Sequence, residues 1–500
     1  MAASSAKSGN PIKRFFAALG RRIKAFFVGI GRGIKAFFVG LGKRIGKFFV
    51  DLVMNFKHGN WKTRMSYLIM GFGCLANKQI LRGILYLLVQ IGFILFMVFI
   101  GGGYLQQLGT LGSVKQGPIY DADGVQIGVS DGDNSLLILL FGVSTILIIL
   151  VFAFLYFKQI KNAAENQFKA EMRFAIPGTR DDLRQMLNQN FHTTLLTLPT
   201  LGLMVLTIIP LIFMILIAFT NYDKDHMPPA GLFTWVGFQN FVDLFKFGAG
   251  ASNGSTFFHV LGWTLIWAVA ATVTTYIGGM VLAILINKKG VRFKKIYRGF
   301  FVITIAVPQF VSLLAISKFF GTDGGLINRL LLNWGWIQKA IPWFESTTLA
   351  RTLVIVINMW VGVPYSMLIT SGILMNIPED LYEAARIDGA GPVKSFFKIT
   401  LPYMLFVTGP YLLTQFIGNI NNFNVIFLLT GGGPTSPSLA APAGKTDLLI
   451  TWLYDLTVSG NYQDYKTGSV IGILVFIVCS IFSLAVYSNT GSVKNEEEFQ

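Results

Sequence analysis

Acidic residues are scarce in this chain. Its 500 residues hold 24 Asp and Glu against 41 Lys and Arg, and the four charged types together make up only 13% of it. So little charge, beside 53% hydrophobic residues and a mean hydropathy of +0.59, excludes an ordinary soluble globular domain. It is the composition of a multi-span membrane protein. Cysteine is nearly missing too. Cys74 and Cys479 fall in or near apolar stretches and support neither a disulfide framework nor a metal site. The start, MAASSAKSGNPIKRFF, lacks an apolar core followed by a cleavage site, so no cleaved signal peptide is expected. An excess of 17 positive charges would suggest nucleic acid in a soluble protein. In a membrane protein it reports basic cytoplasmic loops and anionic lipid, and no nucleic-acid partner is expected.

The spans lack charge as well. Eight apolar runs, 80–101, 135–157, 195–220, 257–287, 299–320, 350–375, 401–430 and 468–488, are each long enough to cross about 30 Å of hydrocarbon. The seventh is long and has room for a tilt or a break at Gly409-Pro410. Their middles contain no Asp, Glu, Lys, Arg or His; Arg82, Lys318 and Arg351 sit at span ends, where they can snorkel. A proton- or sodium-driven carrier usually needs buried ionisable groups as its relay, so a neutral substrate and an outside energy source are expected. The chain also lacks an ATPase. Gly444-Lys445-Thr446 would end a phosphate loop only with a glycine five residues before Gly444, and Leu439 stands there. No catalytic residue and no metal or cofactor bound by this chain is expected.

Basic residues are unevenly placed. The segment before residue 80 holds fifteen Lys or Arg and one acid, Asp51. Loops 158–192 and 288–298 are basic, and 376–402 adds Arg386, Lys394 and Lys398, whereas 102–134, 221–256, 321–349 and 431–467 hold one or two each. The positive-inside rule puts both termini and loop 376–402 in the cytoplasm. Loop 102–134, rich in Gly and Asp, reads as an external turn-rich segment or short hairpin. The tail Glu496-Glu497-Glu498 reads as solvated.

At the N-terminus, Ile12, Ile23, Ile34 and Ile45 recur every eleven residues, close to three helical turns. Ile23, Phe26, Phe27 and Ile30 share a stripe, with Arg22, Lys24, Arg32 and Lys35 around it. Charge in every turn rules out a span. The pattern fits an amphipathic helix in the inner membrane interface, although its glycines also allow a disordered basic tail.

The polar stretch PEDLYEAARIDGAGPVKSFFKITLP, from Pro378 to Pro402, interrupts the apolar runs. Pro378 suits a first helical turn, with Glu379 and Asp380 at the positive end of the helix dipole. Gly389 falls where a helix stop belongs and Pro392 can start a second short helix. Glu383-Ala384-Ala385, Gly389, Ile399 and Leu401-Pro402 keep the spacing of the EAA loop, and here the chain resembles ABC importer permeases. That resemblance implies that Glu383, Ala384, Ala385 and Gly389 seat in a groove of a cytoplasmic ATPase.

Two span faces are polar. Asn358, Val361, Gly362 and Tyr365 share one face of 350–375; Gln415, Asn419 and Asn422 share one of 401–430, flanked by Asn421 and Asn424. An amide in hydrocarbon must find a partner or face water. Two readings stay open: a cavity for a neutral, hydroxyl-rich ligand, or interhelical glue. From about residue 200 onward the chain resembles the larger permease subunit of maltose-type importers, the MalF type. FTNYDKDHMPP (219–229), WVGFQNFVDLF (235–245), AVPQF (306–310), VINMWVGVPYSM (356–367), NNFNVIFLLTGGGP (421–434) and KTDLLITWLYDLT (445–457) carry it. The resemblance implies sugar contacts at Ile305, Gln309, Asn358, Val361, Gly362, Tyr365, Gly418, Asn419 and Asn422. Ile305, Gln309 and Gly418 depart from the family's best-known pattern, which leaves the sugar open. Loop 221–256 is too short for the large external domain of Gram-negative members.

The reading that results is an all-α membrane protein of eight transmembrane helices, with a type I ABC importer (MetI-like) permease core. Residues 1–79 are the basic interfacial region, 80–192 two accessory spans with a cytoplasmic loop, 193–488 the permease domain with its EAA loop 376–402, and 489–500 a cytoplasmic tail. The resemblance implies a permease subunit for oligosaccharides, malto-oligosaccharides first, in the plasma membrane of a bacterium of Gram-positive type. It further implies a second permease as heterodimer partner, two ATPase subunits carrying ATP and Mg, an extracellular sugar-binding protein and membrane lipid. Another glycan such as a galacto-oligosaccharide, and a stand-alone ion-coupled carrier, are the alternatives.

Overall fold

The computed structural model describes residues 51–487 except 122, 249, 289, 460 and 461, together with isolated positions 36, 39, 40, 42, 46, 47 and 50. The helix expected over the eleven-residue repeats, those positions apart, and the acidic tail lie outside the described residues. The chain divides into two compact units, 1–106 with 144–205, and 107–143 with 206–500.

In the first unit, short helices Trp61–Leu68 and Phe72–Leu75 lead into the apolar helix α1 (Ile80–Gln107). The turn between them is tight. Gly71 has φ +84°, and a Cβ there would meet the Gly83 carbonyl at 2.3 Å, so only glycine fits. The partner helix α2 (Ser135–Glu171) supplies the polar closure: Gln159 donates to Ser66 O at 2.7 Å and accepts from Gly71 N. Phe93 stacks on Phe152 at 3.8 Å. Thirty-seven residues make α2 about 55 Å long, more than a bilayer core needs. A third apolar helix, α3 (Phe191–Ile217), begins in this unit and continues into the second after residue 205.

The second unit is organised on α4 (Asn253–Asn287), almost continuously apolar and buried along one face. Against it packs the helix Thr347–Leu374. Between them come α5 (Lys294–Ala306) and α6 (Gln309–Phe319), bent by 88°. The expected straight span 299–320 is therefore a corner. Pro308 has no N–H to donate, and Val307 before it is pushed to ψ 125°, out of the helical region. Then follow α7 (Thr347–Leu374), α8 (Glu379–Ile387), the short helix Pro392–Ser395, α9 (Leu401–Ile420), α10 (Phe423–Thr430), α11 (Leu449–Thr457) and α12 (Tyr465–Tyr487). Helix α9 runs through Pro410; the break falls instead at Asn421-Asn422. There the Asn422 side chain accepts from Val425 N at 3.3 Å and starts a new helix, which a proline in mid-helix does not offer.

Close approach of α4 and α7 depends on small residues. A Cβ on Gly279 would lie 2.5 Å from Ser366 Cβ, and one on Gly362 would lie 2.7 Å from Thr275 Cγ2. Among the described residues, seven helices are long and apolar enough to cross a membrane, or eight if the bent pair counts as one span. Loop 102–134 contains the only sheet among the described residues, an antiparallel hairpin of β1 (Gly117–Tyr120) and β2 (Gln126–Ser130). Asp121 closes its turn by accepting from Asp123 N and Val125 N.

Candidate functional site

Three asparagines form a row inside the second unit. Asn358 of α7 is 6% exposed and donates to Thr275 Oγ1 of α4 at 3.4 Å. Asn422, at the α9–α10 break, donates to Asn358 Oδ1 at 3.5 Å and to Asn419 Oδ1 at 3.4 Å. Asn419 donates to Thr272 Oγ1 at 3.0 Å, while its carbonyl accepts from the buried Trp267 indole at 3.0 Å. The two polar faces expected from spacing thus meet, and they meet on threonines. Thr272 and Thr275 were missed by sequence reasoning, although their i, i+3 spacing within an apolar helix was visible. The Asn358–Thr275, Asn422–Asn358 and Asn422–Asn419 bonds are long, at 3.4 to 3.5 Å, whereas Asn419–Thr272 has ordinary length.

The remaining expected contacts are spread around the row. Tyr365 is half-exposed on α7, its ring centroid 6.3 Å from that of Tyr411. Ile305 is exposed just before the 88° corner, and Gln309 just after it accepts from Asn424 at 3.4 Å. Gly418 is exposed, with open space where a Cβ would stand. Val361 is partly buried against a core that includes Trp263 and Trp267. Gly362 faces Thr275 and serves the α4–α7 approach. Asn424 and Tyr411 join the neighbourhood through these contacts.

A second cluster lies where α7 ends. Pro378 takes the capping position just before α8, and Glu379 and Asp380 occupy its first turn. Gly389 has φ +71° with open space around it, and Ala390 N returns to Ala385 O at 2.8 Å. This is a left-handed helix stop, which glycine makes at least cost. Tyr382 ties the helix to the start of α9 through Thr400 Oγ1 at 2.8 Å. Its outer face is left uncovered. Glu383 and Ala384 are exposed, Ala385 half-buried, and Ile387 is 87% exposed. Glu383 and Arg386 approach to 3.7 Å in solvent, a weak pair.

The opposite ends of α4 and α7 carry loop 431–448. Arg351, expected to snorkel freely, instead donates to Lys445 O from Nε at 2.9 Å and Nη2 at 2.7 Å, with its guanidinium 4.2 Å from the Trp263 ring centroid. Trp263 Nε1 donates to Thr446 O at 3.0 Å. Gly444-Lys445-Thr446 pairs back on the glycines: Thr446 N donates to Gly432 O and Lys445 N to Pro434 O. Asp447 is 1% exposed and accepts from Gly444 N and Thr451 Oγ1, both at 2.7 Å. Burial pushes its carboxyl up to about 7 against the two donors, and Asp455 adds to the rise.

Residues 276–490 match the family described as binding-protein-dependent transport system inner membrane component. The chain is 33% identical over 442 residues to the maltodextrin transport system permease protein MdxF of Bacillus subtilis (strain 168), covering 87% of this chain and 97% of that one. It is 35% identical over 431 residues to the maltodextrin transport system permease protein MalC of Streptococcus pneumoniae, covering 85% and 94%. To the galactooligosaccharides transport system permease protein GanP of Bacillus subtilis it is 32% identical over 430 residues, covering 86% and 97%.

Proposed function

This chain belongs to the MalF-type permease subunits of ABC importers, multi-pass membrane proteins with a MetI-like core that are not enzymes by themselves, and we propose that it forms half of an ATP-driven import pathway for malto-oligosaccharides. The observation that carries this reading is α8, a short helix held by Tyr382 and stopped by Gly389 that presents Glu383, Ala384 and Ile387 outward. A second, similar permease completes the pathway as a heterodimer. Two ATPase subunits, with ATP and Mg, seat on the α8 helices of the pair, and an external sugar-binding protein delivers substrate to loop 431–448 and its neighbours. ATP binding closes the ATPases, the α8 helices move together, and the path opens outward to receive sugar.

The asparagine row supplies the sugar site. Amides of Asn358, Asn419 and Asn422 bond hydroxyls, and the Tyr365 ring packs against the C–H face of a sugar ring. Ile305, Gln309 and Gly418 border this site, and Val361 and Gly362 set the helix approach that shapes it. The Lys and Arg concentrated in residues 1–79 and in loops 158–192, 288–298 and 376–402 support a cytoplasmic location for both termini and α8. Permease domain 193–488, accessory region 80–192, interfacial region 1–79 and tail 489–500 remain the working division. The Bacillus and Streptococcus relatives and the short loop 221–256 favour a Gram-positive-type membrane.

Uptake of labelled maltotriose by proteoliposomes holding the full complex tests this. Glu383→Lys and Gly389→Val should each cut uptake at least tenfold while insertion and yield stay normal. Uptake at the wild-type rate in both would contradict the coupling assignment. Asn422→Leu should slow uptake while leaving the ATPases bound; unchanged rate and sugar preference would make the row interhelical glue. The kinship to a galactooligosaccharide permease supports a second reading of the sugar. Competition by galacto-oligosaccharides stronger than by maltodextrins would decide for it. Transport by this chain alone, without nucleotide, would point to an ion-coupled carrier.

A further inference from the structure

Between α8 and the bundle lies a cleft of 480 Å³. Its apolar wall includes Ile284 of α4, Leu374 of α7 and Phe396, and its charged lining residues are Lys288 and Arg386. No carboxylate lines it among the described residues. More positive charge converges on Asn287, which also lines the cleft. Lys294 donates to Asn287 O at 3.0 Å, and Arg298 donates to Asn287 Oδ1 through Nη2. Arg298 Nε is buried with no hydrogen-bond partner. Arg386 donates from Nε to Tyr382 O at 3.2 Å, and its one ion-pair approach, to Glu383 at 3.7 Å, is exposed and screened by water and salt. Basic groups are thus gathered with no carboxylate in the cleft lining and only the exposed Glu383 nearby, over an apolar wall, at the ends of two membrane helices.

A water-soluble anion would use the charge and waste the wall; a neutral lipid would use the wall and waste the charge. We propose that this cleft holds the phosphate headgroup of an anionic phospholipid, with its first acyl carbons against Ile284, Leu374 and Phe396. The site rests on the reading above only in placing α8 at the cytoplasmic surface, where anionic lipid collects. The lipid fills the space behind α8 and braces it against α4. Movement at the exposed face of α8 then reaches the bundle through the bound lipid as well as through the bond from Tyr382 to Thr400.

Lipid retention tests the site. The complex, or this chain with whatever subunits accompany it, is placed in nanodiscs of phosphatidylcholine doped with phosphatidylglycerol, and bound lipid is counted by native mass spectrometry. The wild type should retain phosphatidylglycerol preferentially. Lys288→Gln should lower retention about fivefold, the worth of one basic charge near an anionic surface, and Lys288→Gln with Arg386→Gln about twenty-five-fold. Lys288→Arg should restore it, and Lys339→Gln, at an exposed lysine in loop 321–349, should change nothing. Equal retention in Lys288→Gln would overturn the proposal. So would displacement by soluble glycerol 3-phosphate, which would make this a free-phosphate site. Retention is read without sugar or nucleotide, so a chain that holds the lipid but imports no sugar overturns the function and leaves this site standing.

Discussion

At one end of α7, Arg351 grips the Lys445 carbonyl with two donors and Asp447 is sealed under the glycines of loop 431–448. At the other end, α8 carries Ile387 in solvent and Glu383 in an exposed, loose pair. Both segments are short connections between apolar helices, yet one satisfies its polar groups within the chain and the other leaves its outer face open. An internally satisfied loop has one arrangement and resists change. A segment with an uncovered face can be read by a partner, and moving it breaks few bonds.

The sharpest way to break this contrast is at Gly432. A Cβ there would lie 2.3 Å from the Asp447 carboxylate, and φ is +82°. Gly432→Ala combines backbone strain with a clash against a sealed neighbour, so a loss of about 3 kcal/mol is expected, read as a lowered Tm of the detergent-purified protein. A Tm within 1 °C of wild type would mean the loop is far more yielding than its bonds imply.

The next effect is pH. Asp447 holds its proton more tightly folded, up to about 7, than unfolded, near 3.8. Its contribution is complete below the unfolded value and is lost as pH rises through about 7. Protection of amides 431–448 from hydrogen exchange should therefore fall between pH 5 and pH 7.5, by about 2 kcal/mol of local stability. Asp455, pushed by burial to about 6, acts in the same sense over the lower part of that range. Asp447→Asn should flatten most of the slope; an equally steep slope in that variant would assign it elsewhere.

The smallest stability effect should be at α8. Glu383→Gln removes half of a solvent-exposed pair and should shift stability by no more than about 0.5 kcal/mol. Thermal unfolding can check this beside the uptake assay. A large loss of stability would place Glu383 in the fold and narrow the difference between the two ends.

The legibility of these parts in sequence differs for physical reasons. The helical hairpin around α8 was readable because its signals are local: Pro378 before the helix, acids in the first turn, Gly389 at the stop. The asparagine faces were readable by spacing, yet spacing did not show that they meet each other on Thr272 and Thr275. Hydropathy located the fifth span but missed its 88° corner, because both halves are apolar and only Pro308 marks the joint. Attention to Gly409-Pro410 missed the break at Asn421-Asn422, where a side-chain cap outweighed a proline. The glycines and Asp447 of loop 431–448 read as a plain loop, because nothing local indicates that a carboxylate will be buried.

Sequence alone determined the number of apolar helices, the uneven basic loops and the α8 hairpin, since each depends on residues within a turn or two of one another or on summed hydropathy. Tertiary structure alone decided which polar groups share a bond. Asn422 meets Asn358 across 64 residues, Asn419 meets Thr272 across 147, and Trp263 holds Thr446 across 183. Those partners lie on α4, α7, α9 and its break, and loop 431–448, and they meet through packing in three dimensions, of which the α4–α7 approach over Gly279 and Gly362 is one part, written in no single stretch of chain.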